Sequence, residues 1–468
     1  MKNLPVIQAT PEQLALVSRT KLGVEVICGA AGSGKTTTAL LRLRSLSYMF
    51  HERHIRKGFN KPVRVLILTF NRTLKGYIET LTKHQLSKDI NISLEIETFG
   101  KWAYSYANDG TIIDLPESEK VIKRLAHNIT SLSPEYIFNE VSYLLGRFTS
   151  NNLQDYISAE RTGRGSLPRV DRKLRKIILD DVVYPYLDYL KESNLKDWNG
   201  MAIAMMDRVP CLEYDIIIVD ESQDFSANQL RAIRAHLAEE HTVTFVIDTV
   251  QRIYARGFTW SEVGFIVRPE NSHKLRKNYR NTVEIAQFVS GILENIDVDS
   301  DGALPHLSAA TKNGDKPLVI RGFYNQQVDY VIDYIKTNID LSTESVAFLQ
   351  PKGKSWFFHI QKYLRINRIP YVDITREPEW PTGSENVALC TFHSAKGLEF
   401  DYVFILGLSN ETAPCNDEDI DDQQQVMKKL LAVAVARARK KVIIGYKPGE
   451  ESFLINLFKI DTYMDYDL

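Results

Sequence analysis

The sequence predicts an α/β fold: two parallel-sheet units in tandem, with a helical insertion in the first. Three observations carry this. Short runs rich in Val, Ile and Leu recur along the chain, separated by stretches with helical apolar spacing. From about 104 to 205 the strand-like runs stop and the spacing is helical throughout, as in "VIKRLAHNI" and "KIILDDVVYPYLDYLK". A second series of apolar runs then follows a segment rich in Gly, Asp and Pro at 292–317, which reads as loop.

Taken in order, residues 24–28, 63–69, 92–96, 214–220 and 242–248 read as buried strands of the first unit. The second unit offers "KPLVIRGF", "ESVAFLQP", "NVALCTF", "DYVFILGL" and "KKVIIGY". The expected organisation is a first unit at 1–104 and 206–270, an insertion at 105–205, and a second unit at 271–468. A chain of 468 residues exceeds one core, so several units are expected on length alone.

Composition is that of a globular protein, with 44% hydrophobic and 25% charged residues. No apolar run reaches the roughly 18 residues that span a bilayer, and the N-terminus carries no signal-peptide core, so a cytoplasmic location is expected. The four cysteines (Cys28, Cys211, Cys390 and Cys415) form no C-x-x-C pair, which argues against zinc or a disulfide framework. With a net charge of −1, a nucleic-acid site has to be a local groove.

The chemistry begins at "VEVICGAAGSGKTTTALLRL", where Gly29-x-x-x-x-Gly34-Lys35-Thr36 follows an apolar strand and opens a helix. Backbone N–H groups of Gly29, Ala30, Ala31, Gly32, Ser33 and Gly34 can turn around a triphosphate. Lys35 reaches the β and γ phosphates, and the Thr36 hydroxyl can ligate magnesium. ATP or GTP binding follows. "YDIIIVDESQDF" delivers Asp220 and Glu221 to the carboxyl end of a strand, the edge where open parallel sheets hold ligands. Asp220 can hold magnesium and Glu221 can take a proton from water; a solvated acidic turn is the competing reading.

Weaker signals follow. "VIDTVQRIY" brings Gln251, an amide that can sense a γ-phosphate. "LRKNYRNT" places Tyr279 and Arg280 at an expected helix start, with a base-stacking ring and a charge-stabilising guanidinium. "CTFHSAKGLEFDYVFILGL" sets dense polar chemistry between two strands. "LLAVAVARARKKV" presents Arg437 and Arg439 from a small-residue helix; for Arg439 a dipole role at the helix end competes.

Together and in this order these motifs resemble superfamily 1 helicases of the UvrD/Rep type, from about Thr10 to Lys441. "TPEQ", with Gln13 lying 22 residues before Lys35, looks like that family's adenine-reading glutamine motif. "ILTFNRTLKGYI" and "ETFGKWAY" look like its first DNA-contacting motifs, and "VDESQD", "NYR" and "TFHSAKGLEF" match closely. The resemblance implies two RecA-like domains with ATP and Mg²⁺ in the cleft between them and single-stranded DNA across their tops. It assigns catalysis to Lys35, Glu221, Gln251, Arg280 and Arg437, with the two arginines acting as fingers. The nucleotide pocket would comprise Gln13, residues Gly29 to Thr37 (Thr37 replacing the usual Arg), Tyr279, Arg280, Glu399 and Arg437. Thr36 and Asp220 would hold the metal. Phe70, Asn71, Thr98, Phe99, Thr391 and His393 are the matched DNA positions; for Phe70 and Phe99 a core role stays open. Translocation 3′ to 5′ is implied in the same way.

The sequence also departs from the pattern. Only about fifteen residues, "TREPEWPTGSENVAL", stand where the family's second insertion subdomain belongs, which puts processive unwinding in doubt but not translocation. Gly100 replaces a histidine, Ala436 a threonine, and "IYARGFTW" lacks the usual aromatic, which Phe258 or Trp260 could replace. Fewer than thirty residues follow "VAVARAR", leaving no room for a fused nuclease. Two basic stretches, 161–176 with Arg161 and Arg164 and 53–64, could touch DNA, including a duplex junction, or be solvated surface. Alternatives to a motor are a DNA-stimulated ATPase switch gating a separate nuclease, resembling helicase subunits of antiphage systems such as Gabija, or an RNA-dependent NTPase.

Overall fold

Both sheets are parallel throughout. The structure, a computed structural model, describes residues 9–29, 33–69, 75, 78–79, 82, 90–107, 110–160, 170–248, 258–275, 278–294, 310–375, 383–413 and 420–468, with backbone alone at 278–280, 311, 354 and 420–423. In chain order the strands are β1 (Gly23–Gly29), β2 (Val63–Thr69), β3 (Ile92–Thr98), β4 (Thr111–Ile112), β5 (Leu195–Lys196), β6 (Tyr214–Val219), β7 (Leu237–Asp248) and β8 (Ser272–Leu275), then β9 (Asn278–Thr282), β10 (Ala310–Lys312), β11 (Leu318–Arg321), β12 (Val346–Gln350), β13 (Tyr371–Asp373), β14 (Val387–Thr391), β15 (Phe400–Ile405), β16 (Ala438–Tyr446) and β17 (Met464–Asp467).

The first sheet has the order β3-β2-β6-β7-β1-β8 and the second β13-β14-β12-β15-β16-β11-β17. Every pairing in them is parallel. Parallel sheets are covered on both faces, so their strands are apolar without alternation. β6 (YDIIIV) and β12 (VAFLQ) are buried at every position. Each sheet accordingly separates two apolar clusters. Val26, Ile217 and Phe245 point to one face of the first sheet, and Ile27, Ile67 and Ile218 to the other. The second sheet divides Ala347, Leu349 and Val403 from Val346, Phe348 and Phe404.

The helical insertion has its own core, drawn from residues between Ile113 and Leu190 with Leu195 packed against it. Helices Leu115–Leu125 and Pro134–Arg147 pack on a run from Arg172 to Glu192 that contains a wide π turn at Ile178–Val183. The first two begin on Asp114 and Ser133, whose side chains accept the N–H of Glu117 and Tyr136. Helix Trp198–Arg208 instead packs on the first sheet through Met201, Ala202 and Met205. A two-residue parallel pair, β4 with β5, closes the insertion's ends and is too short for sequence periodicity to reveal.

Three expectations are corrected. β8 pairs with β1, so the chain leaves the first sheet after Leu275 and not at 271. "NYRNT" is a strand, and the helix Val283–Ile292 starts only after Thr282 caps it. Arg439 lies in β16, not at a helix end; the preceding helix stops at Val435. Among the described residues no helix is long and apolar enough to cross a membrane.

β1 carries one charged residue in its middle. Glu25 is buried, accepts from His273 on β8 at 2.5 Å and lies 3.5 Å from Arg19. Arg42, also buried, donates to the Thr244 hydroxyl at 2.6 Å and the Arg19 carbonyl at 3.0 Å. Burial pushes the Glu25 carboxyl up, but the His273 hydrogen bond and the Arg42 and Arg19 charges prevail and hold it below its ordinary 4.5. Its ionised form therefore adds stability that is present above that value and lost as pH falls through the folded-state one. Glu25→Gln should cost roughly 3–5 kcal/mol near neutrality by stranding buried cations. Urea unfolding should show that gap narrowing steadily under acid.

Candidate nucleotide site and strand-facing edge

The phosphate loop leaves β1 at Gly29, where any side chain would collide. A Cβ there would stand 2.5 Å from Ser33 Oγ and 2.9 Å from the Leu275 carbonyl. Gly34 has φ +79°, the left-handed region, and its added Cβ would lie 2.2 Å from Gln13 Nε2. Helix Lys35–Arg56 starts directly after it, so Lys35 and Thr36 sit in the first turn. Ala30, Ala31 and Gly32 lie outside the described residues. Thr37 is half-buried in the same turn, and Thr38 donates back to the Gly34 carbonyl at 2.8 Å.

Gln13 is 3% exposed and packs on this loop. Thr10 and Gln13 form a reciprocal cap at the start of helix Pro11–Val17. The Gln13 amide also donates to the carbonyls of Ser33 at 3.2 Å and Gly34 at 3.4 Å. Reading a base therefore requires Gln13 to exchange partners.

β6 ends at the same place. Thr36 Oγ1 donates to both Asp220 oxygens, at 3.0 and 3.1 Å. Two hard oxygen donors converging at a phosphate loop suit Mg²⁺, which keeps waters and substrate oxygens for its remaining positions. Asp220 is 1% exposed; burial, with Glu221 beside it, pushes its carboxyl up to about 7. A bound cation would offset both effects.

Glu221 adopts φ +52°, a left-handed conformation that costs a non-glycine residue about 1–3 kcal/mol. Its carboxylate is buried and accepts from Gln223 Nε2. Burial acts to raise its pKa, but Lys396, Lys35 and Arg437 together hold it below the ordinary value. Glu221 is therefore ionised near neutrality while Asp220 carries the burden of the pair.

Two of those three cations come from the second sheet. Arg437, 2% exposed, follows helix Ile420–Val435 and donates to the Val433 carbonyl at 3.0 Å and the Leu398 carbonyl at 3.4 Å. Lys396 pairs with Asp224 and lies 3.4 Å from Glu221 Oε2. Asn281, which directly follows Arg280, donates to the carbonyls of Ala436 at 3.0 Å and Ala438 at 2.6 Å, bracketing Arg437. One buried amide thus ties the two arginine-bearing segments together. Only the backbone of Tyr279 and Arg280 is described, and Gln251 lies outside the described residues. Glu399 is engaged by Arg439, whose Nε and Nη2 reach Oε2 at 3.0 and 2.6 Å.

The positions expected from the sequence to face a strand divide. Thr98 and Thr391 stand at the carboxyl ends of β3 and β14, and His393 is exposed in the turn after β14. Phe99 is 5% exposed and packs edge-on against Trp102 at 5.6 Å and Phe225 at 6.3 Å, which favours the core role left open by the sequence. Phe258 is buried, and half-buried Trp260 packs against Phe245 with ring centres 4.6 Å apart. Phe70, Asn71, Arg161 and Arg164 lie outside the described residues. In the stretch 53–64, Arg53 and Lys57 share Glu240, and Lys61 pairs with Glu213.

Sequence reasoning missed Asn281, Asp224 and any role for Lys396. The only local signal was the polar residue directly after Arg280.

A family profile described as the UvrD/REP helicase N-terminal domain matches residues 9–274, and one described as the UvrD-like helicase C-terminal domain matches 375–448. A probable DNA helicase II homolog of Mycoplasma pneumoniae is 24% identical over 366 residues, 70% of this chain and 48% of the relative. A probable DNA helicase of the same organism is 23% identical over 448 residues, 89% of this chain and 79% of that one. The chain thus spans about half the length of the first relative. The solved C-terminal domain of a possible DNA helicase from Lactobacillus plantarum is 22% identical, with a TM-score of 0.30, covering 40% of this chain and 98% of that one. The first profile alone takes in more than half of the sequence, and the chain belongs to the UvrD/Rep-type superfamily 1 helicases.

Proposed function

We propose that the chain is an ATP-driven motor on single-stranded DNA, hydrolysing ATP in the seam between its two sheets and moving 3′ to 5′ as its family resemblance implies. The supporting observation is that Lys396, from the second unit, stands 3.4 Å from Glu221 Oε2, directly beside the Thr36–Asp220 contact of the first. Phosphoryl transfer asks a protein for positioning and charge stabilisation, and cations from two lobes supply these only when the lobes meet.

In this reading the loop from Gly29 to Thr36 holds the phosphates and Lys35 neutralises the β and γ oxygens. Thr36 and Asp220 hold Mg²⁺, which supplies charge neutralisation at the phosphates when bound. Glu221, ionised by its cationic neighbours, takes the proton of the attacking water. Arg437 and Arg280 stabilise the charge that develops on the transferring group. Gln13 and Tyr279 address the adenine, Gln251 senses the γ-phosphate, and Glu399 supports the pocket through Arg439. Thr98, Thr391 and His393 meet the strand.

ATP turnover should rise when single-stranded DNA is added and far less with RNA; stimulation by neither would end the motor reading. Glu221→Gln should bind ATP and trap it unhydrolysed, whereas normal turnover would remove Glu221 as the base. Arg437→Ala should lower kcat by about 10³-fold or more with little change in ATP affinity. Asn281→Ala leaves both arginines in place but frees their segments. A steady-state assay should find kcat down about 10–100-fold, between wild type and Arg437→Ala.

A further inference from the structure

We propose that the cleft between the helical insertion and helix Trp198–Arg208 is a second ligand site, shaped for a small organic acid with an apolar body and one anionic head. The cleft shares no residue with the nucleotide seam, and its role does not depend on the motor reading.

The cavity has a volume of about 330 Å³. That falls in the ~300–1,000 Å³ range of small-molecule sites, which concentrate, as here, where two structural units meet. Phe148, Leu153, Leu187 and Leu190 line it from the insertion, and Ile203 from the helix that packs on the first sheet. Its walls are held without a ligand. Asn228, buried in helix Ala227–Ala235 of the first unit, donates to the Leu145 and Phe148 carbonyls at 2.9 and 2.8 Å. Arg231 of the same helix donates to the Arg147 carbonyl at 2.6 Å. At β5 the Ile113 N–H donates to the Lys196 carbonyl at 2.9 Å, and the next residue, Asp197, caps the following helix by accepting the Gly200 N–H at 2.6 Å. A cleft fixed on both sides costs a ligand little ordering of the protein.

Charge decides what such a ligand is. Three cations line the cavity, Lys191, Lys196 and Arg208, against one acid, Asp197. Asp197 is committed to the fold. Besides the Gly200 N–H it lies 3.5 Å from the Tyr186 hydroxyl, which meets the Ser118 hydroxyl at 2.8 Å. Burial holds its carboxyl above its ordinary 3.8, which weakens its negative charge. Lys196 comes from β5 and Arg208 from the last turn of the helix, and the two act on each other. Burial first, and then the Arg208 charge, push the Lys196 ammonium below its ordinary 10.5. Two cations brought together beside an apolar wall repel each other, and an anion relieves that. A carboxylate, sulfonate or phosphate monoester head would accept from both, while the body of the ligand covers Leu187, Leu190 and Ile203. An uncharged guest would leave the repulsion in place, and a bare inorganic anion would leave the wall uncovered.

Anilinonaphthalene sulfonate, an apolar fluorophore with one anionic head, tests the site directly. Titrated into the full chain, its fluorescence should show one saturable site. Decanoate or naphthoate should displace it, and the stronger of the two identifies the body as acyl or aryl. Decanol and inorganic phosphate each lack half of the recognised chemistry and should compete at least about tenfold less well. Lys196→Met and Arg208→Met should each weaken dye binding about tenfold or more. Ile203→Trp fills the cavity and should abolish the site. Melting curves and ATP turnover, read alongside, report that each variant is folded; if Ile203→Trp is not, the two charge variants decide. A dye that binds wild type and the folded variants equally sits elsewhere on the surface, and that result overturns the proposal. Displacement by decanol as readily as by decanoate marks a plain apolar patch and overturns it too. So does failure of both acids to displace the dye, or a wild-type chain with no saturable site.

Discussion

Two neighbouring carboxylates buried in one pocket set the terms for everything around them. Asp220 and Glu221 are both withdrawn from water, and the Glu221 charge raises the proton affinity of Asp220. Such a pair survives only among cations. The first sheet supplies one, Lys35, from the helix that follows the phosphate loop. The others, Lys396 and Arg437, belong to the second sheet. The charge balance of the first unit is therefore completed by the second. Opening the seam strands the acids and the cations at once. A site built this way has an electrostatic reason to link what is bound in the seam to how far apart the units stand.

The sheets place these groups by a rule that owes nothing to the particular residues. All strands of a parallel sheet end at one edge, and side chains just beyond that edge share a crevice. Gly29 ends β1, Asp220 follows β6, Thr69 and Thr98 end β2 and β3, and Thr391 ends β14. The first four of these are thereby neighbours on the rim of the first sheet, and Thr391 stands on the corresponding rim of the second. β1 and β6 flank β7, so the loop and the acids stand one strand apart, close enough for Thr36 to reach both oxygens of Asp220. Gly29 leaves room for Ser33 and for the Leu275 carbonyl of β8.

Much of this was legible because parallel strands announce themselves as unbroken apolar runs. The β6 and β12 runs are examples, and the motif at each strand's end comes with it. What escaped notice follows from length or from distance along the chain. β8 (SHKL) and β13 (YVD) are too short and too mixed to show a period. β9 was hidden by a helix start only three residues beyond Arg280, at Val283. The Asn281 contacts span 155 and 157 residues, and the Lys396–Asp224 pair spans 172, so the partners of neither can be read from nearby sequence. Phe99 illustrates a different limit. An aromatic at the end of an edge strand suits a base or a core equally well, and only its neighbours Trp102 and Phe225 decide.

Those long-range contacts also make sense of the departures from the family pattern. At Gly100, where the pattern calls for histidine, an added Cβ would stand 3.0–3.4 Å from the ring of Trp198. The indole, 44% exposed, takes the room a side chain at 100 would need, and it reaches there from the first turn of the helix that packs the insertion's end onto the first sheet. At position 436, where threonine is the rule, the part in use is the backbone: the Ala436 carbonyl receives Asn281. A hydroxyl is dispensable at that point if its task was to fix the segment, because an amide from β9 now does so from the other side and holds the Ala438 carbonyl as well. At Gly100 a side chain from a distant element stands where the local one is missing, and at Ala436 one holds the backbone. Substitutions that look like losses when read one position at a time are here exchanges of which element holds the rim.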